Sequence, residues 1–435
     1  MTAPGELERG TRLGKYEIHG RLSVGGMAEL YLASLAGQGG FRKFVALKRV
    51  LPTIAKNDDF NAMFLDEARI TAALSHAGIA QVFELAEDPD SHEPMLAMEF
   101  VAGQNVEQIV RCARKKKVPL PLEFVGRLAN DVLLALHYAH GFVEPASGKP
   151  MPVVHRDINP RNVMITYAGG TKIVDFGIAK ARGRLNQTHV GFVKGTLRYM
   201  APEQVTAKAI DGRTDLFAAS ILFYELLSGQ PLFDGESDAA LMSRIALEEV
   251  PDLGKVAPSV PPAVVAAVMK GLAKDPAARW QTGREYARAL DRAIPEAFDE
   301  QQVSELMSSL FEDKIAVTRG LLSSAQQASP SDLRLMTMMG DDDEQAPRDV
   351  VSDVTPLSVR TEPARPMALP DVTSQPTLDK LPPVAPRRPA PRPRSRPDLG
   401  PSTAPRPKSN REIAMYVGLL VLVMALIVGA VRFLM

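Results

Sequence analysis

The stretch that decides the reading runs from Val153 to Thr166, VVHRDINPRNVMIT, and is followed at Lys172–Lys180 by KIVDFGIAK. Together they place His155, Arg156, Asp157, Asn162 and Asp175 in one short region between apolar runs. Working back toward the N-terminus, the strand-like segment FVALKRV (Phe44–Val50) carries Lys48 among apolar neighbours, where an amine requires an anion. A carboxylate stands nineteen residues on, in FNAMFLDEARITAAL. Helical steps of three, four and seven relate Glu67 to Phe60, Met63, Ile70, Thr71 and Leu74, so Glu67 lies on the inward stripe and Asp66 does not. The spacing predicts a Lys48–Glu67 ion pair, a contact that a purely structural salt bridge would also make. Further back, Tyr16–Leu22 and Leu30–Ala36 alternate like strands, with Gly25 and Gly26 in the hairpin between them. A Gly-Gly hairpin occurs in many unrelated folds, so by itself it carries little.

Composition bounds the rest. The chain has 435 residues, suited to one large domain with appendages or to two or three small ones. Lys plus Arg and Asp plus Glu both number 51, so the overall charge points to no polyanionic nucleic acid as the bulk partner. The single cysteine, Cys112, excludes an internal disulfide framework and fits a reducing compartment. No secretory leader is read in MTAPGELERG. His137 and His140 are three apart on a helical segment, but no acidic or cysteine partner stands nearby, and no zinc site is expected.

Taken in order, the motifs resemble those of the eukaryotic-type (Hanks-type) bacterial serine/threonine protein kinases. VALK supplies Lys48; HRD supplies His155, Arg156 and Asp157; Asn162 follows five residues after Asp157. DFG supplies Asp175, Phe176 and Gly177, and GTLRYMAPE runs from Gly195 to Glu203. So many ordered motifs do not agree by chance, and the resemblance covers about Tyr16 to Ile294. It implies an α+β, bilobal protein-kinase fold, with a small β-rich N-lobe and a larger helical C-lobe. It also implies ATP and Mg2+ (or Mn2+) as cofactors. By this resemblance Lys48 holds the α- and β-phosphates and Glu67 directs it; Asn162 and Asp175 hold the metal; Asp157 receives or orients the proton of the substrate hydroxyl. Gly25 and Gly26 would let backbone N–H groups approach the phosphates. Leu22, Ser23, Val24, Leu30 and Ala46 would line the nucleotide, and MLAMEFVAG would bind adenine through Glu99 and Val101, with Met98 behind the ring. Asp215 is the residue expected to support the catalytic loop, and Arg279 the one expected to pair with Glu203.

The sequence departs from the family pattern in places. Ser23 and Ala28 stand where the outer glycines of the loop are usual, and Asn159 replaces a lysine that contacts the transferred phosphate. An asparagine there can donate a hydrogen bond but neutralises no charge, which predicts a reduced or differently supported rate. Pro160 and Thr196 favour serine or threonine over tyrosine as the acceptor. Arg156 beside Asp157 suggests control by phosphate on the activation segment, with Thr188 and Thr196 as the candidate acceptors.

Beyond the kinase-like region (16–294, after an extension over 1–15), residues 295–328 read as a helical extension. In it Val303, Leu306, Met307, Leu310 and Phe311 share one face, expected to dock back. Residues 329–412 read as a disordered tether, first acidic at Asp341–Glu344, then holding 16 of the 35 prolines between Pro347 and Pro407. Ile413–Val431 contains no charge and, at about 1.5 Å per residue, makes a helix of roughly 28 Å, close to the hydrocarbon core of a bilayer. Residues 432–435 form a short tail with no outer sensory domain expected. Arg387, Arg388, Arg392, Arg394, Arg396, Arg406, Lys408 and Arg411 flank the apolar run on its N-terminal side, which predicts a single-pass protein of the cell (inner) membrane, its kinase region cytoplasmic and its basic flank on anionic lipid. The expected partners are protein substrates, membrane lipid and a second copy for trans-autophosphorylation, with no nucleic acid. The rival reading is a nucleotide-binding pseudokinase that acts as a membrane scaffold.

Overall fold

The computed structural model describes residues 7–25, 28–36, 42–51, 58–88, 93–176 and 197–323. Gly26, Gly177, Thr188, Thr196, the acidic and Pro-rich tracts and the apolar run 413–431 lie outside the described residues, as does the side chain of Glu67. Among the described residues no helix is long and apolar enough to cross a membrane.

The N-terminal lobe is built on a six-stranded antiparallel sheet in the order β1 (Arg12–Leu13), β2 (Tyr16–Val24), β3 (Ala28–Ala36), β4 (Arg42–Val50), β6 (Pro94–Glu99), β5 (Val82–Glu87). The strands run up to the glycine hairpin, where Gly25 N–H donates to the carbonyl of Ala28 at 2.8 Å. Alternation places Ile18, Tyr31, Ala33, Val45, Leu47 and Ala97 in one apolar layer. The opposite face, with Ala46, Val50, Leu96 and Met98, packs on Phe64 and Ala68 of helix α1 (Asp58–Ala73). The buried stripe of α1 continues to Thr71, and Leu74 just beyond its end joins the core of the other lobe. The small lobe is thus tied to its neighbour at the foot of this helix.

The larger lobe is helical. After β7 (Gly103–Asn105), α2 (Val106–Lys116) opens with a capping box between Asn105 and Gln108. Gly103 cannot carry a side chain, because a Cβ would stand 2.0 Å from the Ile165 carbonyl oxygen. Helix α3 (Leu122–His140) is followed by the catalytic-loop segment and by β8 (Val163–Thr166) and β9 (Thr171–Ile173), which join β7 in a three-stranded sheet. Four helices come next: α4 (Pro202–Val205), α5 (Gly212–Ser228), α6 (Asp238–Leu247) and α7 (Leu253–Val256). They lead to α8 (Pro262–Gly271) and α9 (Gly283–Ala293). Helix α5 is buried on nearly every side, as expected of a helix apolar all round, and it packs against α3 and α8. It is capped by Asp211, whose side chain accepts from Arg213 N–H, and ends at Gly229 in the left-handed conformation (φ 70°).

The extension predicted at 295–328 appears as α10 (Glu300–Ser323), with a break in helical geometry at Phe311. Val303, Met307, Leu310 and Phe311 are buried in the large-lobe core, and Leu306 packs against it. The side chains named from the sequence pattern therefore do dock.

Candidate active site

The catalytic-loop segment hangs from one buried carboxylate. Asp215, in the first turn of α5, is 1% exposed. Its Oδ1 accepts the Arg156 N–H at 2.7 Å; its Oδ2 accepts the His155 N–H at 2.8 Å and Nε2–H of His140 at 2.7 Å. Three donors offset the cost of burying the charge. Gly212 leaves room for this arrangement, since a Cβ there would meet His140 Nδ1 at 2.5 Å.

His155 is fully buried and reads two backbone groups at once. Its Nε2–H donates to the Val174 carbonyl at 3.1 Å and its Nδ1 accepts the Asp157 N–H at 3.2 Å, a pattern that only the neutral ring makes. Burial pushes its pKa down, against the pull of Asp215 and Asp157. The ring also lies 4.5 Å from Phe176, itself 1% exposed, so the residue after Asp175 is anchored in the core. Arg156 (φ 68°) and Asp175 (φ 55°) both adopt left-handed backbone, a conformation that costs about 1–3 kcal/mol and persists only where the surroundings enforce it. For Arg156 the enforcement is visible: its N–H is held by Asp215 and its carbonyl accepts from Gln204 Nε2 at 2.9 Å.

Within the loop, Asn162 Nδ2 donates to the Asp157 carbonyl at 2.8 Å and to Asp157 Oδ2 at 3.0 Å, and the Asn162 carbonyl accepts the Val174 N–H at 2.9 Å. Asp157, Asn162 and Asp175 are thereby brought together. Asn159 takes a different part from the one its position suggested. Its Nδ2 donates to the Asp157 carbonyl at 2.9 Å and its Oδ1 accepts the Arg161 N–H at 2.9 Å, so both ends of this buried amide close the loop on itself. These contacts occupy the Oδ1 and one of the two Nδ2 hydrogens of Asn159.

From the small lobe, Lys48 reaches across to Asp175, with Nζ 2.9 Å from Oδ1. Helix α1 carries Glu67, whose ion pair with Lys48 lies outside the described side chains. Strand register sets Lys48 opposite Leu30 and Leu96, and Ala46 opposite Met98. Leu30, Ala46 and Met98 thus fall in one apolar cluster beside a small cavity lined by Leu96, Met98, Ile173 and Asp175. Leu22 packs separately, against Leu32. Ser23, Val24 and Gly25 are exposed at the tip of the hairpin. At the lobe connection Glu99 N–H donates to the Gln81 carbonyl at 2.8 Å, while its carboxylate takes Lys172 Nζ at 2.8 Å and the Gln81 N–H at 3.1 Å; Val101 is buried.

The site has the donors for a hard cation. Asn162 commits its amide nitrogen to Asp157, which leaves its amide oxygen as a ligand, and the partly exposed carboxylate of Asp175 is a second hard oxygen donor. Among the described residues no group of three or more His, Cys, Asp or Glu forms a closed metal cage. A magnesium ion takes one or two protein oxygens together with substrate phosphates, and Asn162 and Asp175 supply two such oxygens.

The predicted Arg279–Glu203 pair is present and bidentate, at 2.7 and 2.8 Å, with Thr214 Oγ1 donating to the same carboxylate at 2.7 Å. Burial alone would raise the Glu203 pKa, but these donors hold it below the usual value. Sequence reasoning missed His140 and Gln204. The only signal for His140 was its helical position, which shows no partner; Gln204 gave none.

Residues 16–293 match the family model described as "Protein kinase domain". A tyrosine-protein kinase MasK from Myxococcus xanthus is 40% identical over 283 residues, 65% of this chain and 43% of that protein. The serine/threonine-protein kinase PrkC from Bacillus subtilis is 30% identical over 301 residues, 69% of this chain and 43% of that protein. A probable serine/threonine-protein kinase PknB from Corynebacterium glutamicum is 35% identical over 286 residues, 64% of this chain and 42% of that protein. The chain therefore spans less than half the length of these curated relatives. Among solved structures, the PknI kinase domain of Mycobacterium tuberculosis is 27% identical, with a TM-score of 0.50 over 66% of this chain and 99% of that one. With a match over more than half its length, a β-rich lobe on a helical one and the ordered motifs meeting at one site, the chain belongs to the protein kinase family.

Proposed function

We propose that the chain is an ATP-dependent protein kinase that phosphorylates serine or threonine side chains of proteins. One observation carries this reading: contacts run unbroken from Lys48 to Asp175, through its neighbour Val174 to Asn162, and on to Asp157. Magnesium or manganese, held by Asn162 and Asp175, would neutralise phosphate charge. Lys48 places a cation from the small lobe at the same point. Asp157, oriented by Asn162 Nδ2, accepts the proton of the attacking hydroxyl as that oxygen bonds to the γ-phosphorus and the bond to the β–γ bridging oxygen breaks, releasing ADP. Glu99 and Val101 would meet adenine and Leu22, Leu30, Ala46 and Met98 enclose it, beneath the Ser23–Gly26 hairpin.

Purified full chain with labelled ATP and magnesium, beside Asp157→Ala, tests the reading. Transfer by the parent should fall ~10²–10⁴-fold in the variant. Equal incorporation by the two, or none by either, defeats the enzyme and leaves the scaffold. Phosphoamino-acid analysis addresses the second reading, transfer to tyrosine, which the name of the Myxococcus relative favours; phosphoserine or phosphothreonine alone excludes it. The names of the PrkC and PknB relatives support the first.

The same reading extends to location and control. The uncharged run 413–431, the basic flank and the Pro-rich tract before it support a single-pass inner-membrane anchor that leaves the kinase lobes cytoplasmic on a tether. Deleting 413–431 should move the protein from the membrane to the soluble fraction. Among the described residues Arg156 Nε is buried without a hydrogen-bond partner, which supports a phosphate on Thr188 or Thr196 as its acceptor. Phosphorylation of the Asp157→Ala chain by the parent would establish trans-phosphorylation between copies.

A further inference from the structure

Helix α10 is fastened to both lobes, and the break at Phe311 (φ −133°, ψ 32°) divides the two attachments. Before it, the helix belongs to the large lobe: Met307 and Leu310 are in that core, and Ser304 Oγ donates to the Tyr167 carbonyl at 2.8 Å. Cys112 Sγ and Lys116 Nζ donate to the Leu310 and Ser309 carbonyls at 3.3 and 3.1 Å. Gly169 (φ 99°) sits so close beneath the helix start that a Cβ would stand 1.9 Å from the Glu300 oxygen.

Past the break, the helix meets the lobe connection. Lys314 Nζ donates to Gln104 Oε1 at 3.0 Å, and Gln104 lies just after the Glu99–Ala102 link. One turn farther, Val317 packs against Leu32 of the small-lobe sheet, which Leu22, Phe44 and Phe100 also cover. Leu32 is wholly buried and pairs in register with Ala46, so the two side chains share a face and Val317 acts on the side of the sheet that carries the pocket wall. A helix held rigidly on one lobe, with an apolar side chain seated on the other, limits how the two can separate.

We propose that the second half of α10 is a strap across the lobe connection, and that Val317 is a positioning residue holding the small lobe, through Leu32, at the separation that forms the nucleotide pocket. The pocket's being for ATP rests on the function proposed above; the strap itself does not. Without the strap, the closed arrangement is one member of a wider ensemble. If its share falls to one tenth, apparent nucleotide affinity weakens ~10-fold, while saturating nucleotide draws the lobes closed again and restores turnover.

The test compares full chain, Val317→Asp and Val317→Leu by three readouts. Amide hydrogen exchange without nucleotide reports the strap at Phe100–Gln104 and Ala28–Ala36; titration with magnesium and a non-hydrolysable ATP analogue reports affinity; phosphotransfer separates KM from kcat. Val317→Asp should exchange faster at both segments, bind nucleotide ~10-fold more weakly and raise the KM for ATP to match, with kcat at saturation within about twofold of the parent. Val317→Leu should behave like the parent. Parent-like exchange and affinity in Val317→Asp overturn the proposal, and so does a lower kcat with KM unchanged, which would mark a merely structural helix. Should Val317→Asp fold poorly, Val317→Ala takes its place: faster exchange with weaker nucleotide binding supports the strap, and parent-like behaviour in both overturns it. If the parent transfers no phosphate, the function proposed above fails, while hydrogen exchange still decides for or against the strap.

Discussion

Two ion pairs tie distant parts of this chain together, and they differ in nearly everything but charge. Arg279 and Glu203 are sealed in the large lobe, with side chains 0% and 5% exposed and a bidentate contact closed off by Thr214. Lys48 and Asp175 meet between the lobes through one contact, with side chains 23% and 43% exposed. A buried pair cannot lose one member without stranding the other in a medium that does not solvate it. A pair open to water can exchange partners cheaply, as a site that must admit phosphate and metal requires. The first is scaffold and the second is equipment.

The sharpest way to break that contrast is Arg279→Ala. It should remove about 3–5 kcal/mol of folding stability, measured by denaturant unfolding, because Glu203 is left buried without its counter-ion. A loss under 1 kcal/mol would show the large-lobe pair to be as replaceable as the other. Lys48→Ala is the mirror experiment. Phosphotransfer should drop on the order of 10²–10³-fold, about 3–4 kcal/mol, while unfolding stability stays within about 1 kcal/mol of the parent. Next comes His140→Ala, which strips one of three donors from buried Asp215 at a cost of about 1–3 kcal/mol. Because His155 and Arg156 hang from the same carboxylate, its kcat should fall as well, and an unchanged kcat would mean that the remaining two donors suffice.

The gentlest probe is pH. Burial lowers the pKa of His155, and burial likewise lowers those of His19, His76 and His137 from the ordinary 6.5. Below 6.5 the unfolded chain binds protons that the folded chain refuses, so stability is whole above that pH and declines as pH falls. Glu203, with its pKa held below 4.5, adds a second loss only at more acid pH. Thermal melts between pH 7.5 and 5 should therefore show a gradual decline, and an Arg279→Ala background should leave that part of the profile in place.

How much of this was legible beforehand follows from what sequence patterns encode. Lys48, Asp157, Asn162 and Asp175 stood in ordered motifs, and the structure links Lys48 to Asp175, Asn162 to Asp157, and the two pairs through the Val174 N–H on the Asn162 carbonyl. The docking face of α10 was legible too, because periodicity exposes an apolar stripe whatever it packs against. Periodicity names a face and not its partner, however. It could not say that Val317, one residue of the extension, would seat on Leu32 in a different lobe. Nor could position alone show that the Asn159 amide would turn inward. Its short side chain finds the Asp157 carbonyl and Arg161 N–H in its own loop.

The one thiol of the protein lies beneath α10, 4% exposed and donating to the Leu310 carbonyl. Alkylating reagents can reach Cys112 only when the helix lifts away, so labelling kinetics on the unmodified chain would time that detachment without any engineered probe. Whatever signal loosens the extension would announce itself as a faster-reacting sulfur.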